Sequence, residues 1–349
     1  MSLPSPKLPI YDDFYLKLLS RMTRDGPRNL SALSRELKVP KRTLHARVSK
    51  LRERGLLNVS AIPSLKRLGL IDVYVLTNVR PSLRRAAERA LKLIDYWWRY
   101  YEVIGRFNGL FFHYLMPVNN VIDLEEYLEE LKRERLVIDC QVSVLADRIH
   151  YLLNPYGVKD LEGVLKRSPK DYSLMADKYD VLIVSKLQEN AFARLSEVAK
   201  EVGKSRSLIK YHYDTHVKDE LIKGYEVITP RVEPSNAIRI LVSASFKKED
   251  DVMSYFHSLR GNPLVIDVGK EAGSNNVFTL MEVKVDELLR VISSTFIVPI
   301  EGYWISFLLG RERRKSLPHN LFHEGGWRYP KDAYLDKLRE LKGALREGT

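Results

Sequence analysis

A chain of 349 residues, 45% of them apolar, has the material for two or three domains with buried cores and is not a disordered tail protein. Its formal charge of +12 favours an anionic partner, nucleic acid ahead of an acidic membrane surface. No apolar run is long enough to cross a bilayer, and the opening MSLPSPKLPIYDD lacks the apolar centre of a signal peptide. The single cysteine, Cys140, excludes an internal disulfide and any zinc site built on several thiolates, so the cytoplasm is the expected compartment.

Residues 1–9 are proline-rich and are expected to be irregular. Ile10 to Met22 then reads as a helix with Phe14, Leu16, Leu18 and Leu19 apolar, stopped by Asp25-Gly26-Pro27. The stretch Leu30 to Leu57, LSALSRELKVPKRTLHARVSKLRERGLL, reads as the second and third helices of a helix-turn-helix. Ser31 is the candidate N-cap, and Leu33 and Leu37 share one face. Pro40, which has no amide hydrogen, separates this helix from one carrying Leu44, Val48 and Leu51 and ending near Gly55. The opposite face carries Lys41, Arg42, His45, Arg47, Lys50 and Arg52, a cationic surface suited to a major groove. In that reading Arg42, Thr43, His45 and Ser49 reach base edges, while Arg47, Lys50 and Arg52 sit against phosphates. The competing reading is a solvated basic face. NVSAIPSLKRLGL is long enough for a wing strand, with a turn through Pro63 and with Lys66 and Arg67 near phosphate.

From Ile71 the period shortens. IDVYVLTNV alternates like a strand, and Arg80 to Tyr101 is expected to be a helix with Leu83, Ala87, Ala90, Leu91 and Ile94 towards a core. The aromatics Tyr96, Trp97, Trp98, Tyr100 and Tyr101 would close that helix as a sheet-covering core or dimer face, the alternative being a stacking surface for a flat ligand. EVIGRFNGLFFHYLMPV reads as a strand, Val121 to Glu134 as a helix and LVIDCQVSVLADRIHYLL as a long strand, with His113 and Cys140 in the core. The order is βαββαβ, a ferredoxin-like motif, provided residues 102–117 contain or follow a hairpin partner.

After a polar connection the pattern restarts. Residues 194–213 align with 29–48 at an offset of 165, pairing Leu30 with Leu195, Ser31 with Ser196, Leu37 with Val202 and Leu44 with Ile209. The second reader is less basic: Lys204, Ser205, Arg206, Ser207 and Lys210 are its DNA-facing candidates, opposed by Asp214, Asp219 and Glu220. A second βαββαβ pattern follows. The expected fold is α+β, with two winged helix-turn-helix modules, each followed by a ferredoxin-like βαββαβ domain. The corresponding boundaries are 1–68, 69–156, a linker 157–174, 175–234, 235–310, and a basic C-terminal extension 311–349 ending in a solvated helix.

LSALSRELKVPKRTLHARVSKLRERGLL resembles the DNA reader of the Lrp/AsnC (feast/famine) regulators, and VIGRFNGLFF is similar to the segment opening their effector loop. The resemblance implies a winged helix-turn-helix regulator whose α+β domains pair and often bind an amino acid, with both modules of a dimer tethered in one chain. It places a small-molecule effector beside Gly105, Arg106, Asn108 and Gly109, with Asn108 standing where an acid is common. The resulting expectation is a DNA-binding transcription regulator that is not an enzyme. Its partners would be double-stranded DNA, an effector and further copies through the α+β domains, with no membrane and no cofactor. The alternatives are an architectural DNA binder and a sirohaem decarboxylase, since such enzymes resemble these regulators and use histidine and arginine near a cleft between the α+β domains. His113, Arg106 and Arg148 would supply those groups. The pairs His212/His216 and His319/His323 have metal-ligand spacing, but neither has a third ligand at readable distance, so no metal site is expected.

Overall fold

In the computed structural model the described residues are 13–150, 174–228, 236–259, 262, 264–295 and 299–347. The expectations for residues 1–9 and for most of the connection at 157–174 lie outside them. Helices α1 (Asp13–Asp25), α2 (Leu30–Glu36) and α3 (Lys41–Glu53) lead into strand β1 (Asn58–Pro63). Their apolar positions converge as the helical period requires: Leu18, Leu19 and Met22 meet Leu30, Leu33, Leu44, Val48 and Leu51 in one core. Helix α2 begins at Leu30, following a short 3-10 turn at Pro27–Asn29, so Ser31 lies inside it and is not its cap. Pro40 is the N-cap of α3, in an extended conformation that ends the preceding segment.

The same order recurs as α6 (Lys178–Glu189), α7 (Leu195–Glu201) and α8 (Arg206–His212), the last continuing as a π-helix over Tyr213–Leu221 before β6 (Ile222–Ile228). Helices α2 and α7 start at Leu30 and Leu195, and α3 and α8 start at Lys41 and Arg206, the same offset in each case. β1 and β6 pair antiparallel, from Asn58 opposite Ile228 to Ile62 opposite Gly224.

The remaining strands close on themselves. The first set runs β2 (Leu70–Asn78), α4 (Arg84–Lys92), β3 (Trp97–Gly105), β4 (Gly109–Pro117), α5 (Val121–Arg133) and β5 (Asp139–His150). The second runs β7 (Ala237–Ser245), α9 (Glu249–Leu259), β8 (Val265–Glu271), β9 (Asn276–Lys284), α10 (Leu288–Thr295) and β10 (Gly302–Arg314). Each set forms a four-stranded antiparallel sheet, and the pairings β5–β8 and β10–β3 join the two into a closed barrel of order β10-β3-β4-β2-β5-β8-β9-β7. Closure leaves this barrel without an open edge among the described residues. The result is a mixed α/β chain organised on an eight-stranded barrel. A short hairpin of β11 (Phe322–His323) and β12 (Gly326–Trp327) precedes the C-terminal helix α11 (Lys331–Glu347).

Three expectations fail on this point of architecture. The helix expected over Arg80–Tyr101 stops at Lys92, and Trp97–Tyr101 are strand. Trp97 and Tyr100 face helix α4 while Tyr101 and Val103 fill the barrel, so both faces are apolar and the alternation is masked. Arg311–Arg314, assigned to a basic exit, belong to β10, and the C-terminal helix buries Tyr334 and Leu338. Cys140 is only half-buried, and its neighbour Ile138 is 60% exposed.

The seam between β3 and β10 depends on one glycine. Gly105 has φ +131°, and a Cβ there would sit 2.7 Å from the Ile305 carbonyl oxygen. Gly105→Ala is therefore expected to cost about 1–3 kcal/mol in urea unfolding. An unchanged midpoint would show that this seam is not tightly closed.

Candidate active site

Inward-facing positions of the barrel divide into an apolar end and a charged end. Tyr74, Leu76, Tyr101, Val103, Phe111, Leu145, Leu241, Phe278 and Leu280 pack together in the first. In the second, Tyr74 of β2 and Arg99 of β3 each lie directly opposite His113 of β4. Three strands around this cluster, β3, β5 and β8, carry a register shift: between Trp97 and Arg99, between Leu145 and Asp147, and between Val265 and Asp267. An extra residue in a strand re-aims the side chains beyond it. Thus Ile266 packs in the apolar interior while the adjacent Asp267 reaches the charged cluster.

The charged groups form a closed ring. His113 Nε2 lies 2.6 Å from Asp72 Oδ1, which also forms an ion pair with Arg148, 2.8 Å from its Nε. Arg148 Nη1 donates to Asp267 Oδ1 at 3.1 Å, and Arg99 Nη2 donates to the other oxygen of Asp267. Arg99 Nε, 3.2 Å from His113 Nδ1, completes the circuit. Because Nδ1 accepts from arginine, the imidazole carries its proton on Nε2 and donates to Asp72. Trp98 roofs the ring, with its indole 4.7 Å from the Arg99 guanidinium, 4.8 Å from that of Arg148 and 4.9 Å from the His113 ring. A second tier continues from it. Arg99 Nη1 lies 3.9 Å from Glu312, which pairs with Arg314 at 2.6 Å and Arg239 at 2.7 Å. Arg314 also grips Glu226 of β6, and Arg239 donates to Tyr101 and pairs with Glu282.

Burial sets the protonation of these groups. It pushes His113 down to about 3 despite the opposing pull of Asp72, so the imidazole is neutral. Burial alone would raise Glu312 and Asp72, but Arg314, Arg239 and Arg99 hold Glu312 at about 2, and Arg148 and His113 hold Asp72 below its ordinary value. Burial raises the phenols of Tyr74 and Tyr101, which stay protonated. Arg99 and His113 are fully buried and Arg148 is 6% exposed at its side chain, so the ring fixes geometry and touches no substrate in this state.

The expected histidine and arginines are thus placed unevenly. His113 and Arg148 do come together, joined by Asp72, at the junction between the two sheets. Arg106 lies at the opposite end of β3, in the exposed turn to β4 with Gly105 and Asn108, while Gly109 is buried. Within that turn the Asn108 side chain bonds Gly105. Sequence reading missed Arg99, Asp72, Asp267 and Glu312. Among the DNA-facing candidates, Lys41, Arg42, Thr43, His45, Ser49 and Lys50 are exposed on α3. Arg47 stacks over Phe14 and Arg52 over Phe192. Lys204, Arg206 and Ser207 are exposed; Ser205 caps α8, and Lys210 pairs with Asp214. Arg67 pairs with Glu220. A separate cleft of about 390 Å³ is lined by Asp177, Lys178, Tyr179, Phe322 and His323, among others.

No protein-family model and no curated protein sequence matches this chain. Among solved structures, siroheme decarboxylase NirDL in complex with an iron-uroporphyrin III analogue aligns over 95% of this chain and 100% of its own, with TM-score 0.60 and 17% identity. NirDL alone aligns over 96% and 100%, with TM-score 0.61 and 18% identity. AsnC from E. coli covers 39% of this chain and 94% of its own, with TM-score 0.34 and 19% identity. The two NirDL matches correct the expectation of a non-enzymatic DNA-binding transcription regulator, because the structures that align over the full length are of an enzyme. The basic surface of α3 is what misled: its exposure is equally that of a solvated helix face.

The buried imidazole has a measurable consequence. An unfolded histidine titrates near 6.5, whereas His113 in the fold stays neutral to about 3, so unfolding takes up a proton between those values. Stability therefore falls as pH drops from about 6.5 to 3, and Glu312 adds to the loss from about 4.5 to 2. Over pH 6 to 4 the urea-derived stability of His113→Gln should have a slope shallower than that of the parent by about 1.4 kcal/mol per pH unit. Parallel slopes would show that His113 is not held neutral.

Proposed function

We propose that this chain is a decarboxylase of the siroheme decarboxylase type, acting on the carboxylate side chains of an iron tetrapyrrole. The observation that supports the reading is the full-length correspondence with NirDL, which extends through both sheets and both sets of helices. The charge of +12 suits a substrate bearing several carboxylates. In the reaction the bond between carboxylate and side-chain carbon breaks, CO2 leaves, and a proton is delivered to the carbon that keeps the electron pair. The buried ring of His113, Asp72, Arg148, Asp267 and Arg99 acts in this reading as a positioning element that holds the two sheets at one spacing. The units α1–α3 with β1 and α6–α8 with β6 are, in the same reading, winged helix-turn-helix modules used as structural arms, with domains divided near residues 68, 156 and 234 and the last sheet ending with β10 at Arg314.

The test is incubation of the full chain with siroheme, followed by mass spectrometry of the extracted tetrapyrrole. Loss of CO2 is expected, together with a shift of the main absorption band on titration with iron-uroporphyrin III. Folded protein that leaves both compounds unaltered would overturn the proposal.

A further inference from the structure

Outside the barrel, three side chains from distant parts of the chain converge on one point. Asp180, in the first turn of α6, is 1% exposed. Its Oδ1 lies 2.9 Å from His212 Nδ1 and its Oδ2 lies 3.1 Å from His216 Nδ1. One ligand atom from each of the three falls within 4.8 Å of the other two. A fourth donor stands beside them, since Asp177 Oδ2 is 3.5 Å from His212 Nδ1. The third ligand that the sequence did not reveal is thus 32 residues before His212, on a different helix.

We propose that Asp180, His212 and His216 form a site for a divalent first-row transition metal of the zinc class, with Asp177 available as fourth ligand. Two imidazoles and a carboxylate are a recognised donor set for such ions. Metal–ligand bonds of about 2.0–2.1 Å in a tetrahedron put neighbouring donors about 3.3 Å apart, and the distances of 2.9 and 3.1 Å from Asp180 to the two imidazoles are close to that spacing. The carboxylate is already oriented from behind, because Asp180 Oδ2 accepts the Asp177 backbone N–H at 3.1 Å. Two aspartates with two neutral imidazoles carry a charge of −2, which a divalent ion cancels. Entry is open on one side, His216 being 39% exposed at its side chain.

The first half of the chain provides an internal comparison. The positions 165 residues earlier are Tyr15, Arg47 and Leu51. There the Arg47 guanidinium lies 4.4 Å above Phe14 and 5.9 Å above Tyr15, joining the equivalent helices by stacking on aromatic rings. The packing of these helices therefore does not demand the second half's Asp–His–His set. The π-helix that begins directly after His212 is a further departure, and such turns gather at functional sites. Bound metal would clip the start of α6 to this turn.

The experiment uses the full chain after chelator treatment, titrated with Co2+ as a spectroscopic probe and then with Zn2+ in competition. Visible bands of tetrahedral Co2+ at a single equivalent are expected, displaced by Zn2+. His216→Ala, altered at its exposed ligand, should keep its far-UV circular dichroism and bind at least about tenfold more weakly. His323→Ala should bind as the parent does. Absence of a Co2+ signal in the parent, equal affinity in His216→Ala, or loss of binding in His323→Ala would each overturn the assignment. None of these readouts depends on tetrapyrrole chemistry, so failure here leaves the decarboxylase reading standing, and the reverse also holds.

Discussion

Arg99 carries a full positive charge at a position with no exposure to water, and its carboxylate partner comes from the other half of the chain. A buried charge without a partner costs several kcal/mol, so β3 of the first sheet cannot take its place unless Asp267 of β8 is delivered beside it. Asp267 repeats the relation in reverse: it stands on β8 of the second sheet and pairs with Arg99 of β3 and Arg148 of β5. Each sheet therefore contains a charge that the other neutralises. Barrel closure and charge compensation are one requirement, and carrying both sheets in a single chain meets it without assembly of two subunits.

That requirement shapes everything near the junction. The strand irregularities at Trp98, between Leu145 and Asp147, and at Ile266 turn polar groups inward next to apolar ones. Trp98 covers two guanidinium groups at once, which shields their pairing from water and strengthens it. The imidazole of His113 is kept neutral with both nitrogens engaged, so it orders its neighbours and holds no proton in reserve. On the decarboxylase reading proposed above, chemistry on a substrate uses groups outside this ring, at positions whose spacing the ring fixes. On this account the decarboxylase reading rests on a shared full-length scaffold.

Much of the scaffold was legible because helices with one apolar face and strands with regular alternation announce themselves. The offset of 165 residues was visible in Leu30 and Leu195, and the core positions Leu44, Val48 and Leu51 followed from helical period. The barrel was not legible. A strand such as Trp97–Gly105, apolar on both faces, has no alternation to read, and pairing between β5 and β8 joins residues more than 100 positions apart. The site was hidden for related reasons. Arg99 sits among aromatics, Asp267 follows a bulge, and Arg314 was read as part of a basic tail, so none looked like a member of a buried set. His113 and Arg148 were named, yet their connection through Asp72 appears only once β2, β4 and β5 are side by side. The exposed basic face of α3 drew attention in the opposite direction: charge on one side of a helix is easy to see and says little about what, if anything, it meets.

The direct test of the central claim is a double-mutant cycle on the pair that crosses the two halves, Arg99→Met and Asp267→Leu, read by urea unfolding. If these charges hold the barrel together, each single replacement strands a buried charge and costs about 3–5 kcal/mol. The double replacement, which strands none, should recover most of that loss. Single replacements costing no more than about 0.5 kcal/mol and simply adding in the double variant would contradict the account.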